Sequence, residues 1–405
     1  MSDLQGVLFC AGGGTRMSAL TDDIPKCLLP VVGVPMFIYP LSSILRAGVR
    51  DIKIFVREGC RSALEVEIKK SGLLEKFAAN IDYIVVSMNH EDYGTGDLLR
   101  QNHSKITRNA LIVSCDFVSD ASLLPMIEFF RAHRASLVAL LDDNCVTTST
   151  PPGPKTKKPK ATDLIAIDEK SGRFGYLSVD EDFDGVLHTE KMSELLARVQ
   201  LSAKFNDCHV YLIRHHELQI LNKHKSFSSF KADFVPYLID QQFEDSSVQC
   251  YAYRLPHENG CVTAHANTIG AYFELNKAIL KTFARLMPDK GNGKTLNYRH
   301  DGIAANESRV ENSVQVGEKS IIKRCVILDH CKIGERAKLK ESLIFRNVGI
   351  GVGASVTNSI VCEGAEIGEH ADVTNCIVTK GQKVGARVKL QNEIVEDDDA
   401  EWASD

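Results

Sequence analysis

From residue 311 onward the apolar positions recur at a fixed interval. An aliphatic residue followed by glycine returns every 17 residues, as Val316-Gly317, Ile333-Gly334, Ile350-Gly351, Ile367-Gly368 and Val384-Gly385. A second aliphatic series, Ile322, Leu339, Val356, Val373 and Leu390, keeps the same step, and Leu328, Phe345, Cys362 and Thr379 mark a third position, so one period reads six, six, five. A chain that turns one residue inward three times per period winds into a triangular β-helix whose inward residues stack coil upon coil. A β-sandwich with chance spacing would not keep one period through independent series. The glycines suit corners where a left-handed or crowded backbone leaves no room for a Cβ. Such a stack leaves its end coil with unpaired edges and an apolar cross-section, which predicts a partner subunit as the cover beyond Leu390.

The first half has a different rhythm. Gly6 to Cys10 and Leu111 to Ser114 are short apolar runs of the kind that form buried parallel strands. Met36 to Ala47 reads as a helix stopped by Gly48, although Pro40 predicts a kink in it. Leu164 to Ile167 and Arg173 to Val179 read as strands joined by the turn Glu169-Lys170-Ser171-Gly172. Alternating strands and helices through residue 140 predict a doubly wound α/β domain. The expected organisation is an α/β domain over 1–287 with a flexible Pro/Lys-rich loop at 146–160, a linker at 288–310, the β-helix at 311–392 and an acidic, disordered tail at 393–405.

Charge and cysteine usage narrow the class. The formal net charge is -5, but Glu396, Asp397, Asp398, Asp399, Glu401 and Asp405 sit in the last ten residues with no Lys or Arg, leaving the body near +1. A near-neutral body gives no footprint for a nucleic acid or another polyanion. The tail reads as a solvated end, with Trp402 and its acids also able to dock on a basic partner surface. Twelve cysteines are scattered singly with no Cys-x-x-Cys pair, which suits reduced thiols in the cytosol. Neither a signal-type start nor an apolar run of about 20 residues is present, so no membrane association is expected.

The candidate chemistry lies where the strands end. Cys10 runs into Ala11-Gly12-Gly13-Gly14-Thr15-Arg16-Met17, whose glycines let backbone N–H groups approach a phosphate while Arg16 supplies charge. The run fits neither a Walker loop nor the Rossmann spacing. Pro25 and Pro30 stiffen the segment Pro25-Lys26-Cys27-Leu28-Leu29-Pro30-Val31, which can hold Lys26 towards the same phosphate. A second Gly-rich turn, Tyr93-Gly94-Thr95-Gly96-Asp97, opens a helix. Cys115-Asp116 follows an apolar strand, where open α/β sheets bind ligands and metals. His215, His216 and the other histidines show no ligand spacing.

Together the Ala-Gly-x-Gly-Thr-Arg-Met run, the Pro-Lys-x-Leu-Leu-Pro-Val run and the Gly-Thr turn resemble the sugar-phosphate nucleotidyltransferase family, whose members often carry a left-handed β-helix of hexapeptide repeats. The likeness covers almost the whole chain. It implies that Gly12, Gly13, Gly14, Thr15 and Arg16 cradle a nucleoside triphosphate, that Lys26 contacts phosphate, that Gly94, Thr95 and Gly96 face the base, and that Asp116 holds Mg²⁺.

Four departures weaken the implied chemistry. Transfer needs charge neutralised by a metal held between two carboxylates, with cations fixing the phosphates. The stretch matching the family's second metal-binding Asp is Gly260-Cys261-Val262-Thr263-Ala264-His265-Ala266-Asn267-Thr268, which has no carboxylate. The family's Glu-Lys-Pro motif is absent: Glu169-Lys170 leads into Ser171-Gly172, and Lys158-Pro159 lies in the polar loop. Val34 stands for the usual Lys of Gly-Lys-Pro, and Cys115 for the usual Gly before the metal Asp. Asp116 then reads as a relic. The glycine turns, Arg16 and Lys26 read as inherited structure or as a regulatory site for a nucleotide or sugar nucleotide, with no cofactor required.

With Ser114-Cys115-Asp116-Phe117, Tyr39-Pro40-Leu41, Asp182-Phe183-Asp184 and Ala266-Asn267-Thr268, the chain is similar to the gamma-subunit family of eukaryotic translation initiation factor 2B. This is the guanine nucleotide exchange factor for initiation factor 2. The resemblance implies a non-catalytic, cytosolic subunit that pairs with the larger epsilon subunit, joins alpha, beta and delta subunits in a bigger complex, and meets initiation factor 2 as the substrate G protein. The competing reading is an active sugar-1-phosphate nucleotidyltransferase of the GDP-mannose-forming kind.

Overall fold

The computed structural model describes residues 3–87, 93–142, 151–154, 163–179, 196–255, 262–286, 295–296, 299–300 and 303–396. Several expectations fall outside them: the acidic tail beyond Glu396 with Trp402, the run 182–184, Lys158-Pro159 and all of the 146–160 loop but 151–154, Gly260-Cys261, and residues 288–294, 297–298 and 301–302 of the linker. Two compact units are present, one formed by Met1–Gly13, Met36–Cys145 and Lys158–His265, the other by Gly14–Pro35, Val146–Lys157 and Ala266–Asp405.

The first unit is built on a seven-stranded sheet in the order Cys250–Arg254, Leu137–Asp142, Asn206–Ile213, Asn109–Ser114, Leu4–Cys10, Asp51–Arg57, Asn80–Val86. All neighbours run parallel except Asn206–Ile213, which is antiparallel to both of its own. Leu4–Cys10 is buried at every residue, because helices cover both faces of a doubly wound sheet and leave no polar side. Pro40 does not kink its helix. The helix runs Ile38–Arg46, so Pro40 falls in the first turn, where a missing N–H deprives no carbonyl of a partner. Gly48, at φ 88, ends it with its N–H on Leu45 O. Leu164–Asp168 and Phe174–Ser178 pair antiparallel, and Asp168 closes the turn between them by accepting from the Ser171 N–H at 2.9 Å. That leaves Lys170 exposed at a hairpin tip.

The second unit contains the β-helix. Three parallel sheets stack with a 17-residue register, as in Ile322 opposite Leu339, Leu339 opposite Val356, and so on to Leu390. The ladder starts before the first aliphatic-glycine pair: Ile303–Asn306 and Ser308–Val310, placed by the sequence pattern at the end of the linker, already pair with the next coil. The inward residues include the Ile333 and Ile322 series as expected, but the third inward series is Ile327, Ile344, Val361, Val378 and Val395. Leu328, Phe345 and Cys362 are buried on the outside of that face instead, so the period is six, five, six. The reason is cover from within the same unit. A Cβ at Gly33 would stand 3.5 Å from Leu328 Cδ2, and one at Gly153 would stand 3.4 Å from Ile377 Cδ1. A strand buried on both faces is apolar at every position, and apolarity alone no longer tells which residue points in.

The two functions expected of the glycines separate. Gly317, Gly334, Gly351 and Gly368 have ordinary φ, but a Cβ on any of them would come within 2.5–2.7 Å of the backbone of the next coil. The left-handed corners are largely taken by other residues, among them Asn358, Asn375 and Asn392, whose amides bond in a ladder at 2.8 and 3.2 Å. Asn tolerates this conformation better than other side chains. Inside the same corner, one position further on, a ladder of small residues, Ser308, Cys325, Ser342, Ser359 and Cys376, carries Oγ-to-N–H bonds between coils of 3.0–3.3 Å. Burial pushes the Cys325 thiol up to about 12, and all ten described cysteines are buried thiols. In the last described coil Val384, Leu390 and Val395 are each 2% exposed.

Ahead of the β-helix, Ile269–Leu286 anchors the segment that carries Lys26. Asn276 accepts from the Val32 N–H at 2.8 Å and donates to Tyr272 O at 2.9 Å, while the Tyr272 hydroxyl donates to Pro30 O. Asn276 is fully buried, so both bonds form away from water.

Candidate functional site

The first Gly-rich run leaves Leu4–Cys10 and crosses the division between the units, Gly12 and Gly13 in one, Gly14, Thr15, Arg16 and Lys26 in the other. Gly12 and Gly13 are exposed, and nothing lies within 4 Å of a Cβ placed on Gly12. Gly14 needs its missing side chain. Its φ is 74, a Cβ there would meet Thr21 Cγ2 at 2.9 Å, and its carbonyl accepts from the Thr21 hydroxyl at 3.0 Å and the Met17 N–H at 2.8 Å. Thr15–Met17 and Ser18–Thr21 are single short turns, too brief to carry much of a helix dipole. Arg16 is exposed and Lys26 half-buried.

The Gly94–Gly96 turn faces its own chain. A Cβ on Gly94 would fall 2.3 Å from Ser228 O, and one on Gly96 2.8 Å from Phe227 O. The Gly96 and Asp97 N–H groups both donate to Ser228 O, the Ser228 hydroxyl donates to Asp97 Oδ2 at 2.6 Å, Gly94 N–H donates to the same oxygen, and Thr95 Oγ1 accepts from Phe230 N–H. Burial raises the Asp97 carboxyl, but these bonds and the Arg100 guanidinium outweigh it and hold the group below the usual carboxylate range. Those N–H groups close the turn onto the Phe227–Phe230 segment.

Asp116 follows Asn109–Ser114 and is 2% exposed. Beside it the strand Phe117–Ser119 pairs antiparallel with Thr263–His265. The register is pinned by the Ser119 and Thr263 hydroxyls at 2.8 Å and by Asp120, which accepts from the Val262 N–H at 2.9 Å. The pairing sets His265 Nε2 2.8 Å from Asp116 Oδ1. The two atoms are close but not aligned as a hydrogen bond. His265 in turn lies against His209, ring centroids 4.0 Å apart. His209 sits at a bulge in Asn206–Ile213 with φ 53, and bulges re-aim side chains in this way. Lys231, on the π-helical turn Phe230–Phe234, reaches His209 Nε2 at 3.4 Å and Asp163 at 2.6 Å. Asp207 and Tyr211 form a buried bonded pair nearby in sequence, and burial pushes the Asp207 carboxyl up despite Lys231.

This donor set does not fit Mg²⁺. The ion demands oxygen ligands in near-octahedral array, whereas the group facing Asp116 is an imidazole backed by a second imidazole and an ammonium. Among the described residues no three His, Cys, Asp or Glu side chains converge as metal ligands. His265, His209 and Lys231 were not singled out by the sequence reading. His265 lies in the Gly260 to Thr268 stretch that lacks a carboxylate, whereas the two others have no local motif. His215 pairs with Gln219 and stays outside the cluster.

Comparison with known proteins agrees with both halves of the architecture. Residues 5–148 match the nucleotidyl transferase family model, and residues 292–392 match the left-handed β-helix model described as the eIF2B subunit epsilon LbH domain. The fold is thus a nucleotidyltransferase-like domain followed by a left-handed parallel β-helix. The chain is 61% identical over 331 residues to translation initiation factor eIF2B subunit gamma of Caenorhabditis elegans, covering 82% of this chain and 81% of that one. It is 26% identical to the gamma subunit of Schizosaccharomyces pombe, over 69% and 66% of the two chains, and 23% identical to the epsilon subunit of the same yeast, over 76% of this chain and 45% of that one. The chain belongs to the gamma-subunit family of translation initiation factor eIF2B.

Proposed function

We propose that this chain works in the cytosol as the non-catalytic gamma subunit of the exchange factor for initiation factor 2, bound to a catalytic epsilon subunit and, in a larger assembly, to alpha, beta and delta subunits. Its α/β domain and β-helix act as binding surfaces that hold the epsilon subunit and dock the G protein, so its contribution to GDP release is one of positioning. The observation that carries the non-catalytic reading is the imidazole of His265 facing Asp116 where a two-metal-ligand carboxylate pair would be required. The sequence-assigned nucleotide residues Gly12, Gly13, Gly14, Thr15, Arg16, Lys26, Gly94, Thr95 and Gly96 are read as inherited loop structure, and Asp116 as a vestige of a metal site. The internal bonding of Gly14 and of the Gly94–Gly96 turn supports that reading.

Mixing the purified chain with an epsilon-type subunit tests the proposal. A stable complex on size exclusion, and faster release of labelled GDP from initiation factor 2 than with the epsilon subunit alone, is the expected result. Failure to form a complex, with unchanged release, would remove it.

A further inference from the structure

We propose that His265 is a built-in substitute for a metal ion, the residue that keeps the pocket at Asp116 closed to divalent cations. Asp116 is a carboxylate almost wholly removed from water, where a polar group needs a partner. His265 Nε2 stands 2.8 Å from it. The approach is fixed by backbone, because Thr263–His265 is registered on Phe117–Ser119 and locked there by the Ser119, Thr263 and Asp120 contacts. His209 packs against the ring, centroids 4.0 Å apart, and Lys231 reaches His209 while paired with Asp163. A divalent ion arriving at Asp116 would have to displace an imidazole held by a strand pair and backed by a second imidazole.

The same rigidity makes the site convertible. Replacing His265 by aspartate leaves the strand register alone and withdraws the ring from the carboxylate. The gap left between two carboxylates suits an ion with metal–oxygen distances of about 2.0–2.1 Å. A single substitution is therefore expected to change the pocket from one filled by the ring to one that binds metal.

This inference rests on the non-catalytic reading above, and Mn²⁺ is the probe that separates the two. Titrating Mn²⁺ against the full chain by electron paramagnetic resonance should find His265→Asp binding one ion at least tenfold more tightly than wild type, and the Asp116→Asn/His265→Asp double variant returning to wild-type behaviour. Where His265→Asp folds poorly without metal, Mn²⁺ should raise its thermal midpoint and leave that of the double variant unchanged, since a ligand stabilises only the state that binds it. Equal Mn²⁺ binding by wild type and His265→Asp, or no Mn²⁺-dependent rise in that midpoint, overturns the inference. Wild-type binding that Asp116→Asn abolishes also overturns it, yet without nucleotidyl transfer leaves the non-catalytic reading standing. Transfer by wild type would defeat that reading whatever the titration gives.

Discussion

Gly351→Ala is expected to weaken the β-helix by about 3 kcal/mol or more, although it adds a single methyl group. The added Cβ would lie 2.6 Å from both the Gly368 carbonyl carbon and the Glu369 nitrogen. Overpacking typically costs about 1–3 kcal/mol where side chains can move aside. Here the obstacles are backbone atoms of the adjacent coil, and relief requires opening the bond from Gly351 N–H to Ile367 O. Because each coil contacts only its neighbours, a fault at this level uncouples the coils on either side. Gly364→Ala is the matched control. Its Cβ would meet nothing within 4 Å, but φ is 73, so only backbone strain of about 1–2 kcal/mol applies. Urea unfolding followed by circular dichroism should rank the two in that order. Equal losses would mean that the glycines of the repeat serve flexibility and not close stacking.

Val361→Asp should prevent the β-helix from folding. Val361 has no exposed surface and belongs to the interior cluster, which offers a carboxylate no partner there. The effective penalty for burying an unpaired ion, several kcal/mol after relaxation, is a large share of any domain's stability. Thr357→Gln, at an outward position that is Lys340 one coil before and Gln391 two coils after, should change stability by no more than about 0.5 kcal/mol. Loss of the parallel-sheet signal in the first variant and its retention in the second is the expected pair of spectra. The contrast also tests the inward assignment, since the sequence spacing alone would have put Cys362 inside and Val361 on its flank.

That misplacement shows what the sequence could and could not carry. The 17-residue period was legible because Ile322 and Ile333 alternate with polar neighbours such as Lys323 and Lys332, which mark solvent. Around Ile327 and Val361 the neighbours are apolar too, because that face of the coil is covered from outside as well. Local punctuation was legible at Gly48 and at the Asp168–Gly172 turn, each closed by a short-range bond, Gly48 N–H to Leu45 O and Ser171 N–H to Asp168. Pro40 was misjudged only because the helix start lay two residues later than its pattern suggested. The Gly94–Gly96 turn looked like a ligand loop because nothing near it in the chain reveals that Ser228 takes its N–H groups. The closing of Asp116 likewise depends on His265, 149 positions away, brought in by strand pairing. Motif reasoning found the missing carboxylate, but only the register identified what replaced it.

The central claim is that this nucleotidyltransferase framework has given up its transfer chemistry. It is tested most directly by pyrophosphate release from the purified chain with each NTP, a panel of sugar 1-phosphates and Mg²⁺. The account predicts no release above the protein-free rate for any pair. Turnover that disappears in Asp116→Asn would contradict it.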